Sequence, residues 1–149
     1  IGGSLKNIYA IAAGIAEGLN LGENAKSALI SRSFAEMTRY AKKFKADKNT
    51  LFGLSGLGDL ILTCSSKNSR NTQFGIKLAS SKYDNFLDLL KSQEVTEGYY
   101  TVKAVYNISQ KKNIDMPIME SVYNILYKQH DLKEELSNLL SRPITEEKI

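Results

Sequence analysis

Residues Ser4–Leu19 read SLKNIYAIAAGIAEGL, and this stretch decides the fold class. Leu5, Ile8, Tyr9, Ile11, Ile15 and Leu19 are spaced around a helix, with Ala10, Ala12, Ala13 and Ala16 between them. A helix that is apolar on most sides belongs in a core, and its alanines let neighbouring helices come close. Lys6 is the exception. It shares a face with Ala10, Ala13 and Glu17, which puts a cation near the first turn of a buried helix. The helix dipole disfavours positive charge there, so something must compensate it.

Outward from that helix the chain reads as more helices. Asn24–Phe44 is amphipathic, with Leu29, Ser33, Met37, Tyr40, Ala41 and Phe44 along one stripe. Asp47–Thr50 is a start signal for a short helix at Leu51–Leu54, which Gly56 and Gly58 are expected to interrupt. Asp59–Cys64 forms a further short turn, and Ser69 to about Ala79 and Asp84–Lys91 are helical. Thr96 to about Lys112 carries Val102, Val105, Tyr106 and Ser109 at helical spacing. Pro117 is placed as the first-turn proline of a helix reaching about Gln129. Asp131 and Glu134 have capping-box spacing before a last helix that ends ahead of Pro143. No run of period-2 alternation, sustained heptad or internal repeat interrupts this pattern. The expectation is one all-α domain over residues 1–149, of about seven to eight helices.

Composition narrows the functional classes. The chain has 149 residues, enough for one sizeable core, with 42% apolar and 24% charged residues. No apolar run approaches the ~20 residues that a membrane-spanning helix needs. Ile1-Gly2-Gly3 has neither a basic nor an apolar leader region and no initiator Met, so the chain is expected to begin within a longer protein. The net charge of +4 comes from lysines spread along the chain, with Lys42-Lys43 and Lys111-Lys112 the only adjacent pairs. Nucleic-acid binders concentrate charge on one face, so this balance supports only mild attraction for a small anion. One cysteine excludes an internal disulfide framework and fits a reducing, cytoplasmic setting. One Cys and one His, His130, leave no metal-ligand cluster to expect.

The polar residues of Gly53–Asn71, GLSGLGDLILTCSSKNSRN, are the candidates for chemistry. Its glycines have the wrong order for a dinucleotide fingerprint, lack the Lys of a P-loop, and read as positions of positive φ or close helix contact. Asp59 lies among apolar residues, where a carboxylate needs a cation or several donors. Local pattern leaves open whether it caps the turn from Leu60 or is functional. Ser69-Arg70-Asn71 opens a helix, where free N–H groups and a guanidinium suit a phosphate; a solvated Arg beside a Ser cap fits the same letters. Cys64 reads as packing, because His130 is distant in sequence and lies in a polar loop.

Together these elements resemble a family. Gly3-Ser-Leu-Lys-Asn-Ile8, Gly53-Leu-Ser-Gly-Leu-Gly-Asp-Leu60, Thr63-Cys64, Ser69-Arg70-Asn71, Glu97-Gly98, Met116-Pro117-Ile118 and Leu139–Pro143 are similar, in order, to the bacterial-type NAD(P)-dependent glycerol-3-phosphate dehydrogenases. The resemblance covers the C-terminal helical domain and not the Rossmann domain that precedes it in the family. It implies the helical fold shared with 6-phosphogluconate dehydrogenase, and reversible reduction of dihydroxyacetone phosphate to sn-glycerol 3-phosphate, a phospholipid precursor. Carried over motif by motif, it implies Lys6 as catalytic acid/base and Asn7, Asp59 and Thr63 around Lys6 and the substrate hydroxyls. Ser69, Arg70 and Asn71 would take the phosphate. Arg70, Val95 and Glu97 would meet NAD or NADP across a cleft, although Thr96 replaces the aliphatic residue common in the family. The implied partners are the chain's own Rossmann domain and a second copy in a homodimer, with no nucleic acid, metal or membrane span.

Two alternatives stand beside this reading. In β-hydroxyacid-type dehydrogenases of the same superfamily the catalytic Lys is followed by Asn four residues on; here the Asn is adjacent and Ala10 stands at that position. A basic helical binding module would require clustered charge and binding that weakens steeply with salt.

Overall fold

The computed structural model describes residues 2–45, 54–80, 88–89 and 96–142. Among the described residues seven α-helices run in order: α1 Gly2–Gly18, α2 Glu23–Lys43, α3 Asp59–Ser65, α4 Arg70–Ala79, α5 Glu97–Lys112, α6 Pro117–Lys128 and α7 Leu132–Leu140. A π-helical turn, Leu54–Gly58, leads directly into α3. No strand occurs among the described residues. The expected helices at Leu51–Leu54 and Asp84–Lys91 fall largely outside them.

Helix α1 is the axis of the fold. It packs against α2, α3, α4, α5 and α6, and Leu5, Ile8, Tyr9, Ile11 and Ile15 are each at most 1% exposed. Its tightest neighbour is α4, where the helices meet backbone to backbone. A Cβ on Gly14 would lie 2.9 Å from the Thr72 carbonyl carbon and nearer still to its oxygen. A Cβ on Gly75 would lie 2.8 Å from Ile15 N. Both positions therefore need glycine for close approach rather than for an unusual φ.

Two buried charged residues of α2 tie down helix ends. The Glu36 carboxylate, fully buried, accepts from Ile118 N at 2.8 Å and Met119 N at 2.9 Å. Those are orphan donors of the first turn of α6, whose own N-cap residue, Met116, offers no side-chain cap. Arg32 donates to the carbonyls of Leu139 and Arg142 at the end of α7. Asp131 caps the start of α7 through Glu134 N at 2.9 Å, as its spacing predicts. On the outer side of α5 and α6, Tyr106 stacks on Tyr123 with centroids 3.8 Å apart, and Tyr127 stacks on Tyr123 and Tyr99.

Two expectations need correction, and one alternative for the glycines falls away. Gly56 and Gly58 do not break the helix: Gly58 has φ −60 and ψ −46, and the turn widens to π geometry and runs on into α3. Positive φ among the described glycines is confined to Gly22, at 94. Phe44 is 39% exposed instead of lying on the inward stripe, because α2 ends at Lys43 and the ring folds beside Tyr40.

Candidate active site

The site forms where the first turns of α3, α4 and α5 meet the N-terminal half of α1. Lys6 is the fifth residue of α1 and half-buried. Its Nζ lies 3.6 Å from Asp59 Oδ2, with the two side chains 30% and 47% exposed. Asp59 is the first residue of α3, following Gly58 at the N-cap position, and makes no cap of its own helix. Of the two readings that local pattern left open, the cap of α3 is not the one its geometry shows. Asp59 turns to Lys6, and the carboxylate offsets both the cation's partial burial and its unfavourable place in the dipole. The π turn, not the glycine order, delivers it there.

Helix α4 brings the polar triplet. Ser69 is its N-cap, with φ −63 and ψ 130, and its Oγ accepts from Thr72 N at 3.4 Å. The loop before it is braced: Gln73 Nε2 donates to Lys67 O, and Lys67 Nζ reaches Glu17 Oε1 of α1 at 3.3 Å. Glu17 also pairs with Lys26 Nζ at 3.7 Å. The Thr72 hydroxyl donates to Thr63 O at 3.1 Å, which joins the end of α3 to the start of α4. Arg70 is exposed at the first helical position, so its guanidinium stands at a helix start whose first N–H groups have no intrahelical acceptor. Asn71 is 8% exposed, and its Oδ1 accepts from Gly98 N at 3.0 Å.

That last bond closes the cluster. A Cβ at Gly98 would lie 2.8 Å from Asn71 Oδ1, 3.0 Å from Asn7 O and 2.6 Å from Ile11 Cδ1. Asn7, Asn71 and Gly98 therefore converge, one residue along α1 from Lys6. Glu97 is exposed beside Gly98 in the first turn of α5. Of the residues expected at the site, Lys6 and Asp59 meet directly, Thr63 meets α4, Asn7 and Asn71 meet through Gly98, and Ser69 and Arg70 open α4. Val95 lies outside the described residues.

Cys64 belongs to the core. It is 1% exposed, and burial pushes its thiol up to about 12, with Lys26 opposing only weakly. A neutral buried thiol is no nucleophile. His130 pairs with Glu135 Oε1 at 2.8 Å beside the cap of α7. Among the described residues no helix is long and apolar enough to cross a membrane, and no three His, Cys, Asp or Glu side chains gather as metal ligands.

Sequence reasoning missed Glu36 and the Gly98 N–H. Glu36 had a signal, since it falls three residues after Ser33 and four before Tyr40, on the inward stripe of α2. Burial, and then the Glu36 carboxylate, hold the neighbouring Tyr9 hydroxyl well above its ordinary pKa. The Gly98 contact had no signal, because a backbone donor 27 residues away leaves no mark in the letters.

Comparison with known proteins gives one answer throughout. The glycerol-3-phosphate dehydrogenase [NAD(P)+] of Brachyspira hyodysenteriae is 47% identical over 144 residues, covering 95% of this chain and 43% of that protein. The same enzyme of Solidesulfovibrio magneticus is 46% identical, covering 99% of this chain and 44% of its own length. Among solved structures, glycerol-3-phosphate dehydrogenase from Coxiella burnetii superposes with a TM-score of 0.87 at 41% identity, over 94% of this chain and 43% of that one. The yeast Saccharomyces cerevisiae enzyme superposes at 0.82 with 28% identity, over 95% and 41%. The chain spans less than half the length of these relatives. The family model described as NAD-dependent glycerol-3-phosphate dehydrogenase C-terminus matches residues 1–137, and the chain belongs to that family.

Proposed function

We propose that residues 1–149 are the substrate-binding and catalytic domain of a glycerol-3-phosphate dehydrogenase, which interconverts dihydroxyacetone phosphate and sn-glycerol 3-phosphate with NAD(H) or NADP(H). The observation that carries this reading is the Lys6–Asp59 pair, 3.6 Å apart, one residue from the point where Asn7, Asn71 and Gly98 converge. An ammonium on α1 and a nearby helix start able to take an anion suit a small phosphorylated ketone.

Lys6 would contact the ketone oxygen. As that oxygen gains negative charge, the ammonium stabilises it and gives a proton; in the reverse direction the neutral amine takes the proton back. Asp59 holds the ammonium in line. Asn7 and Thr63 border the hydroxyls, while Ser69, Arg70 and Asn71 take the phosphate by charge-assisted hydrogen bonds at the start of α4. The bound nicotinamide would supply the hydride. Arg70 and Glu97 fit contacts to a dinucleotide offered from outside this domain, since both are exposed on helix starts that border the cluster. Val95 is assigned the same role from the family motif. The dinucleotide's own platform would be a Rossmann domain in the same polypeptide, with a homodimeric assembly, cytoplasmic placement and a role in phospholipid synthesis completing the proposal.

The test is Lys6→Met in the full-length protein. Loss of an interaction made mainly in the transition state lowers kcat by about a hundredfold or more and moves KM little. A variant with near-normal kcat would remove Lys6 from the chemistry.

A further inference from the structure

The bond between Asn71 and Gly98 reaches further than joining two helices. A backbone N–H can only donate, so the Asn71 atom facing Gly98 N at 3.0 Å must be the carbonyl oxygen. That fixes which way round the amide sits. The opposite end of the same plane, Nδ2, offers hydrogens only, which suits an oxyanion and nothing that must itself donate. An asparagine free to turn over would present its oxygen to a phosphate half the time, and that oxygen repels it.

We propose that Gly98 is a positioning residue for phosphate recognition: its N–H locks the Asn71 amide with Nδ2 toward the anion. This rests on the reading of Ser69-Arg70-Asn71 as the phosphate end. Two features of Gly98 serve the role. It is the second residue of α5, so its N–H is one of the helix's orphan donors, and the N-cap Thr96 makes no side-chain cap to it. It also has no side chain where none fits, since a Cβ would press on Asn71 Oδ1, Asn7 O and Ile11 Cδ1, all within 3.0 Å. A larger residue pushes Asn71 Oδ1 and Ile11 Cδ1 aside and so releases the amide. Asn71 is nine-tenths buried, so water cannot easily replace the lost donor. Gly98 touches no substrate in this account; it acts through Asn71.

The same geometry makes Asn71→Asp diagnostic. One carboxylate oxygen still accepts from Gly98 N, so the tie between α4 and α5 survives. The other oxygen now presents negative charge to the phosphate.

The experiment compares Asn71→Asp, Gly98→Ala and Arg70→Ala in the full-length protein. It reads KM for dihydroxyacetone phosphate, KM for the dinucleotide, kcat, and the thermal shift produced by inorganic phosphate without any cofactor. Asn71→Asp is expected to keep the Gly98 bond and fold, lose the phosphate-induced shift, and raise the ketone KM about a hundredfold, with the dinucleotide KM within about twofold. Gly98→Ala is expected to raise the ketone KM roughly tenfold and to weaken the phosphate shift in step. If Gly98→Ala is not recovered soluble, Asn71→Asp still decides whether the end of the side chain opposite Gly98 faces the anion. An Asn71→Asp protein with wild-type ketone KM and phosphate shift overturns the proposal, as does a soluble Gly98→Ala protein with both unchanged. Arg70→Ala separates the levels: if it raises the ketone KM while the other two do not, Asn71 and its Gly98 lock leave the phosphate site and Arg70 stays in it. If all three are silent, the phosphate reading fails with it.

Discussion

Replacing Gly75 by alanine tests whether the α1–α4 crossing sets the geometry of the site. The new methyl would sit 2.8 Å from Ile15 N and closer to Ile11 O, against an ordinary contact of at least 3.4 Å. Both obstacles are backbone, which cannot rotate aside as a side chain tip can. The helices must separate by roughly 1 Å, and such overpacking costs about 3 kcal/mol, the upper end of its usual range. Alanine's better helix propensity returns about 1 kcal/mol. A net loss of about 2 kcal/mol lowers the melting midpoint by roughly 4–8 °C for a domain of this size. The site should suffer beyond that, because Asn71 lies one turn before Gly75 on the same face and moves with it. A displacement near 1 Å at a reacting centre costs about a hundredfold in rate.

The control is Gly22→Ala. Gly22 has φ 94 and ψ 173, with nothing within 4 Å of an added Cβ. Its penalty of about 1–3 kcal/mol is backbone strain alone, remote from the crossing. Differential scanning fluorimetry and steady-state kinetics on both variants decide the matter. The reasoning requires similar melting losses and a kcat/KM defect in Gly75→Ala alone. Equal kinetic defects in the two variants, or a silent Gly75→Ala, would falsify it.

Two further outcomes follow from the buried groups. Glu36→Ala strands the N–H groups of Ile118 and Met119 in a site with no water access, which should cost about 3 kcal/mol in urea unfolding with an unchanged slope; Glu36→Gln, keeping one acceptor, should lose less, and equal losses would deny the double-cap role. For Cys64, whose thiol burial raises from 9.0 to about 12, the folded value exceeds the unfolded one. Its stabilisation is then complete below pH 9 and lost as pH rises toward about 12, at no more than ~1.4 kcal/mol per pH unit. Unfolding free energy measured across that window should fall more steeply in the wild type than in Cys64→Ala, and identical slopes would refute the assignment. Native protein should also leave a thiol reagent unreacted until it unfolds.

The helices were legible because each carries its own local instruction. Asp131 and Ser69 cap where their spacing says, and the apolar wrap of α1 marks it as the axis. The site was legible only in halves. A cation in an apolar helix demanded a partner, and an aspartate among leucines demanded a cation, but hydrophobic period says which way a residue points and not whom it meets. Family motifs supplied the pairing of Lys6 with Asp59. The π turn escaped because glycines at 56 and 58 look the same whether a helix ends there or widens; packing between α3 and α1 decides it. Glu36 escaped for the complementary reason, its partners being 82 and 83 residues away.

One ridge of α1 links these observations. Asn7, Ile11, Gly14 and Gly18 follow each other at intervals of four, three and four, so they line a single face. That face takes Gly98 at Asn7 and Ile11, Thr72 and Gly75 at Gly14, and Ile76 and Ala79 at Gly18. The start of α4 is therefore registered against α1 by backbone contacts too close to adjust, and Asn71, with Gly98 bonded to it, inherits that register. Lys6 stands next to the ridge rather than on it, 30% exposed and held by Asp59. Packing and the proposed chemistry thus fall to neighbouring positions of one helix. Substitutions on the ridge should lower stability and substrate affinity together, whereas substitution of Lys6 should reach the chemistry while leaving the crossing intact.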